Sequence, residues 1–244
     1  MSKDRVYSEA RPQIVDFAFD EQVASVFQDM IRRSVPGYEL VVPMTGLLAA
    51  RALRDAPIPR AYDLGCSLGA TTLAMLHALE SLDGTPEGLE IIAVDNAAPM
   101  LEAARSNLTD PRVTFLEADI RHLDLEPCAV ITLNWVLQFL PPEERLDLLT
   151  RFRDSLTSEG LLLLSEKVRT GDPAREAFNL AAHEDFKRAN GYSELEISQK
   201  RASLEAVMRT DELDTHLKRL EEAGFRDVQV WFQCLNWASI AARV

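Results

Sequence analysis

Four polar side chains stand at or just past the ends of apolar runs. Asp63 lies in Arg60-Ala-Tyr-Asp-Leu and Asp95 follows Glu90-Ile-Ile-Ala-Val, while Asp119 comes after Arg112-Val-Thr-Phe-Leu and Asn134 after Cys128-Ala-Val-Ile-Thr-Leu. An acid such as Asp95, with Asn96 beside it, can accept both hydroxyls of a ribose; Asp119 can hold the amino group of a base that rests on Ile120. Asp63 opens the pattern D-x-G-x-x-x-G, with Gly65, Cys66, Ser67 and Gly69. Gly65 lets the backbone turn sharply toward a ligand, and Gly69 lets the next helix pack close to the strand. The backbone amide of Cys66 is the expected ligand contact, although a thiolate would also be stabilised at a helix N-terminus. Taken singly, these residues have plainer uses: Asp95 as a helix cap, Asp119 as a turn cap, Asn134 as a partner for a strand end. Four such stops in order, with helices between, point to adenosine recognition.

Convergence requires the runs to be parallel strands of an open α/β sheet, which binds ligands at the carboxyl ends of its strands. The pattern gives strands ending near Leu64, Val94, Leu116 and Leu133. Helices span Ala70 to Leu79 and Ala98 to Leu108, and another runs from Pro141-Pro142 to about Leu156. Gly160 ends the next turn, and Leu161 to Leu164 form a fifth, wholly apolar strand. A helix from Asp211 to Glu222, stopped by Gly224, precedes two strands spaced for a hairpin, Val228 to Leu235 and Trp237 to Ala242. Two helices come before the first strand, Glu21 to about Arg33 with Asp20 as N-cap and Tyr38 to Leu53; they are expected to cover the cofactor or the sheet edge. Residues from about 168 to 210 exceed what a minimal cofactor domain needs. This insert holds a helix from Ala174 to Ala189 and, after the capping box Ser193-Glu-Leu-Glu196, another to about Met208. Lys200 and Arg201 diverge by about 100° on that helix, so one of them is expected to face the cleft.

The chain has 244 residues, with 26 basic against 39 acidic side chains and a net charge of −13. One domain is the expected organisation. That charge balance argues against a protein that grips nucleic acid by its phosphates and favours a small-molecule substrate. The absence of a long apolar run or a signal-like N-terminus leads to an expectation of a cytoplasmic protein without membrane attachment. Cys66, Cys128 and Cys234 are scattered, with no metal-ligand spacing, so neither a disulfide framework nor a metal site is expected; Cys128 and Cys234 read as buried small hydrophobes.

The D-x-G-x-x-x-G loop resembles the first motif of class I S-adenosylmethionine enzymes with one glycine replaced, and the strand and helix order is that of a class I methyltransferase fold. From about residue 16 onward the chain closely resembles the carboxy-S-adenosyl-L-methionine synthases of bacterial tRNA wobble-uridine modification. The resemblance rests on Phe19-Asp-Glu-Gln-Val23, Arg33-Ser-Val-Pro-Gly-Tyr38, Tyr62-Asp-Leu-Gly-Cys-Ser-Leu-Gly-Ala70, Leu137-Gln-Phe-Leu140 and Leu164-Ser-Glu-Lys167. Its most idiosyncratic block is His183-Glu-Asp-Phe-Lys-Arg-Ala-Asn-Gly-Tyr-Ser-Glu-Leu-Glu-Ile-Ser-Gln-Lys-Arg201. The resemblance implies an enzyme that takes S-adenosylmethionine and prephenate and releases phenylpyruvate, placing the freed carbon dioxide on the sulfonium methyl group. It implies that Tyr38, Gly65, Cys66, Ser67, Asp95, Asn96, Asp119, Ile120 and Asn134 hold the adenosyl and methionyl parts. Arg201 is implied to pair with the new carboxylate and is the one candidate catalytic residue. It also implies a homodimer with the insert at its interface. His183 is not named as a base, and the extreme N-terminus is given no functional role. An ordinary small-molecule methyltransferase and a cofactor-binding relative without chemistry are the alternatives.

Overall fold

The computed structural model describes residues 2–82, 84–205 and 207–244. Its elements are α1 Glu21–Ser34, α2 Tyr38–Arg54, β1 Arg60–Leu64, α3 Ala70–Ser81, β2 Glu90–Asp95, α4 Ala98–Asn107, β3 Val113–Glu117 and β4 Cys128–Asn134. They continue with α5 Arg145–Ser155, β5 Leu156–Arg169, α6 Pro173–Ala189, α7 Glu194–Glu205, β6 Asp211–Glu212, α8 Leu213–Glu222, β7 Arg226–Cys234 and β8 Trp237–Arg243. Short 3-10 turns at Leu137–Phe139 and Pro142–Glu144 lie between β4 and α5. The sheet order is β3-β2-β1-β4-β5-β8-β7. β1 to β5 pair in parallel, while β8 runs antiparallel between β5 and β7.

Alternation along the strands divides the core. Ala61, Ile91, Val130, Leu161 and Leu163 face α2 and α3, and Ala93 on the same side meets Leu101 of α4. Tyr62, Leu64, Ile131, Leu133, Leu162 and Leu164 face α5 and α8. The inner strands β1, β4 and β5 are therefore apolar on both sides, as a covered parallel sheet requires, while the edge strands β3 and β7 are more exposed. α2 is thus mainly a structural layer, and its first turns, through Tyr38 and Val42, reach the site; the expectation of a cover holds better for α1, which packs with the N-terminal segment over the start of α4. A Cβ at Gly46 would stand 2.5 Å from the Ala74 carbonyl carbon, so the close helix approach belongs to the α2/α3 contact. At Gly69 an added Cβ would meet only ordinary contacts, and the glycine is there for its φ of +78°.

Three local signals resolve as expected. Asp20 accepts from Val23 N at 2.9 Å, Ser193 and Glu196 form a reciprocal capping box, and Gly224 stops α8 in the left-handed region at φ +90°. The fifth strand differs from expectation. β5 begins at Leu156, and its pairing with β4 jumps between Cys128↔Leu156 and Val130↔Leu161, so Gly160 lies inside an irregular strand. α8 starts two residues late because Asp211–Glu212 pair with Val168–Arg169 as the short strand β6. Cys234 is half-buried, since β7 forms the sheet edge. Among the described residues, no helix is long and apolar enough to cross a membrane.

Candidate functional site

The loop after β1 is built by the end of β2. Gly65 N and Cys66 N both donate to Val94 O, at 2.8 and 2.9 Å, and Ser67 N donates to Asp95 Oδ2 at 2.8 Å. The other oxygen of Asp95 accepts from Ala97 N at 2.9 Å, so one carboxylate joins the glycine loop to the start of α4. Burial raises the Asp95 carboxyl above its usual range even with these amide donors. The Cys66 amide, expected to meet the ligand, is therefore committed to the sheet. Its thiol is 5 % exposed, and burial drives its pKa far upward, so no thiolate forms there. At Gly65, φ is +76° and a Cβ would come within 2.3 Å of Val136 Cγ2. The glycine admits Val136 as well as the turn.

Asp63 is a positioning acid and does not line the cavity. It is 2 % exposed and accepts from Thr72 N at 3.0 Å, Thr72 Oγ1 at 2.7 Å and Thr132 Oγ1 at 2.9 Å, which pins α3 and β4 to β1.

Tyr38, Gly65, Cys66, Ser67, Asp95, Asn96, Asp119, Ile120, Asn134 and Arg201 all border one cavity of about 1330 Å³ at the carboxyl ends of β1, β2 and β4. Arg121 holds Asp119 through both oxygens, with Nε to Oδ1 at 3.0 Å and Nη2 to Oδ2 at 2.6 Å. That grip keeps its carboxyl below the usual range, and a base amino group would share a carboxylate already paired. Asn134 donates from Nδ2 to Thr71 Oγ1 at 3.0 Å, while its buried Oδ1 is without a hydrogen-bond partner. An unpaired buried acceptor facing a cavity is suited to a ligand donor such as an α-amino group. The residues present thus fit the adenosyl and amino-acid parts of S-adenosylmethionine.

A run of aromatic rings also lines the cavity. Tyr38 and Trp135 lie with ring centres 5.5 Å apart, Trp135 and Trp237 6.5 Å apart, and Trp237 and His183 5.6 Å apart. Trp135 holds φ +62°, anchored by its N–H to Ser165 O at 2.6 Å; such strain in a non-glycine residue is characteristic of functional loops. Burial raises the Tyr38 hydroxyl to about 12. His183 donates from Nε2 to Ser34 O at 2.8 Å, and burial lowers its pKa to about 3, which makes it a neutral structural residue.

Basic side chains from β5 and the insert complete the lining, with Glu205 of α7 among the acids beside them. Lys167, Lys187, Lys200 and Arg201 line the cavity with Glu184. Both neighbours on α7 line the cavity, Lys200 as a buried residue and Arg201 as a half-exposed one, where only one of the two was expected. Arg201 Nη1 stands 2.7 Å from Glu184 Oε1, and its side chain is 52 % exposed. Lys167 and Lys187 were missed because they come from different elements and read as surface charge, whereas Lys200 is one of the two candidates for the cleft. One signal existed: Lys200 falls three residues after Ile197 and four before Leu204, inside the apolar stripe of α7. The first residues of the chain were missed too. Asp4 is 1 % exposed, bonds the Tyr192 hydroxyl and accepts from Arg33 through its carbonyl, while Tyr7 donates to Ser203 Oγ at 2.9 Å.

Fold and site together define a class I S-adenosylmethionine-dependent methyltransferase scaffold. Residues 61–160 match a methyltransferase domain family. Human N-acetylserotonin methyltransferase, solved with S-adenosylmethionine, superposes with a TM-score of 0.59 at 18% identity over 91% of this chain and 55% of its own. The CurJ carbon methyltransferase gives 0.64 at 16% identity over 90% and 58%. This chain spans little more than half the length of those solved proteins, and the likeness speaks for the fold. Nearer relatives are similar almost from end to end. The carboxy-S-adenosyl-L-methionine synthase of Photobacterium profundum is 48% identical over 98% of this chain and 97% of its own length, and that of Geobacter sp. is 46% identical over the same shares. The chain belongs to the carboxy-S-adenosyl-L-methionine synthase family.

Proposed function

We propose that the protein converts S-adenosylmethionine and prephenate into carboxy-S-adenosyl-L-methionine, phenylpyruvate and water, the hydroxide leaving prephenate taking up the proton lost from the methyl group, and that the product serves as carboxymethyl donor for tRNA wobble-uridine modification in the cytoplasm. The observation that carries this reading is the arginine at the rim: Arg201 and the adenosyl residues share one cavity. A guanidinium can hold a carboxylate bidentately, and a carboxylated methyl group would present one in addition to the methionyl carboxylate. S-adenosylmethionine supplies a sulfonium whose methyl hydrogens are acidified. Asp95, Asp119 and Asn134 orient its adenosyl and amino-acid parts, the aromatic wall excludes water, and Arg201 retains the carboxylated product. Glu184, its partner in the ligand-free protein, would exchange the guanidinium for that carboxylate.

Mass spectrometry of the protein incubated with both substrates tests the reading. The expected product is a nucleoside heavier than S-adenosylmethionine by one carbon dioxide; S-adenosylhomocysteine alone would identify an ordinary methyltransferase instead. We further propose a homodimer formed through the insert, supported by Phe178 of α6 at 65 % and Leu195 of α7 at 39 % exposure. Sedimentation of Phe178→Asp, expected to be monomeric, tests it.

A further inference from the structure

We propose that Lys167, Lys187 and Lys200 form a binding wall for the carboxylates of a dianionic co-substrate. The identity of that dicarboxylate rests on the prephenate reading above; the site itself rests on geometry. The three ammonium groups come from the end of β5, from α6 and from α7, and they line the same cavity as Asp95 and Asp119. Lys200 is 7 % exposed and its Nζ lies 2.9 Å from a neutral partner, Ser34 Oγ. Among the described residues none of the three lysines has a carboxylate within 4.0 Å, and Glu184, the nearby acid on α6, is taken by Arg201. Asp4 and Asp29 influence Lys200 from a distance, but Asp4 is engaged by Tyr192 and Asp29 by Arg33. Glu176 is the acid that favours the Lys167 charge.

Buried ammonium groups without counterions are unfavourable. Burial and mutual repulsion draw Lys187 down to about 8 and Lys200 to about 7, and they lower Lys167 as well. The fold tolerates these charges where apolar side chains of equal size would pack at less cost, which is reasonable if an anion completes the site. Two carboxylates on one small molecule match a spread of three point charges better than the single planar group that Arg201 suits. Lys167 Nζ also stands 6.0 Å from the Trp237 ring centre, so a cyclic dicarboxylate would meet cations and an aromatic face together.

The test is calorimetric titration of prephenate into protein saturated with S-adenosylhomocysteine, using Lys187→Met, Lys200→Met and Lys218→Met on the exposed face of α8 as control. The dissociation constant for prephenate is expected to rise about tenfold or more in the first two variants and to stay unchanged in the third. Affinity for S-adenosylhomocysteine should be unchanged in all three, and Tm should hold or rise, since a buried charge has been replaced by an apolar chain. Lys187→Met, at a half-buried position, keeps the test available if Lys200→Met folds poorly. The inference is overturned if the wild type does not bind prephenate, or if its affinity is unaltered in both lysine variants. It also fails if both ligands weaken together, which would assign the cluster to the methionyl carboxylate. Binding that depends on the lysines, without carboxylated product in a parallel turnover assay, would leave the anion wall standing and remove the synthase reading.

Discussion

Arg201 is half exposed in the single chain, and this sets the scale of what its removal does. Arg201→Ala should lower affinity for the carboxylated product by about 1 kcal/mol, the upper end for a pair that solvent reaches, and leave S-adenosylhomocysteine binding intact. Equal losses for the two ligands, measured by calorimetry, would take away its assigned role. Gly65→Ala is the opposite kind of change. The left-handed backbone alone costs about 1–2 kcal/mol, and the contact with Val136 adds to it; both Tm and S-adenosylmethionine affinity should fall. Much of the adenosyl end was legible because strand ends are legible: an acid after an apolar run has its position fixed by topology. Its hydrogen bonds were not. Whether Cys66 N meets a ligand or Val94 O depends on the turn that Ser67 makes at φ +51°, and no residue type announces that.

Among the elements, the connection from the insert back to the sheet depends on one buried cation. Arg145 is fully buried, with Nη1 at 2.6 Å from Asp211 Oδ2 and Nη2 at 2.7 Å from the carbonyls of both Leu140 and Arg209. Arg145→Met should therefore destabilise the fold by about 1–3 kcal/mol, since two buried carbonyls lose their partner while Asp211 keeps Arg219 at 2.7 Å. Urea denaturation measures the loss, and proteolysis near Arg209 should become faster. The short strand β6 in this connection was invisible to periodicity, because two residues carry no period. The helices were clear where capping chemistry was present, as at Asp20 and Ser193. Where no cap was present, as at the start of α8, the boundary moved.

For the molecule as a whole, the basic side chains of the cavity predict a pH dependence. The unfolded chain keeps Lys187 and Lys200 protonated up to about their ordinary 10.5, whereas the folded, ligand-free protein releases these protons near 8 and 7. The unfolded state thus binds more protons in that window, and stability should rise as pH climbs from about 8 toward 10. Lys200→Met should flatten the rise, as urea melts at pH 8 and pH 10 would record; an unchanged slope would mean that the ammonium is not buried in solution. The charge pattern as a whole misdirects on this point. A net charge of −13 says nothing of a basic pocket, because the acids lie mostly outside and the lysines meet only after folding.

Asp4 meets Tyr192 across 188 positions of sequence. During synthesis at about 5–20 residues per second, the first segment must therefore wait roughly 10–40 s for the partner that seats it. Through that interval Val6, Tyr7 and α1 can pack on one another and on the start of α4, but Tyr7 still lacks Ser203 and Asp4 lacks Tyr192. A tag or deletion at the start of the gene would alter the seat of α7, on the far side of the finished enzyme's cleft.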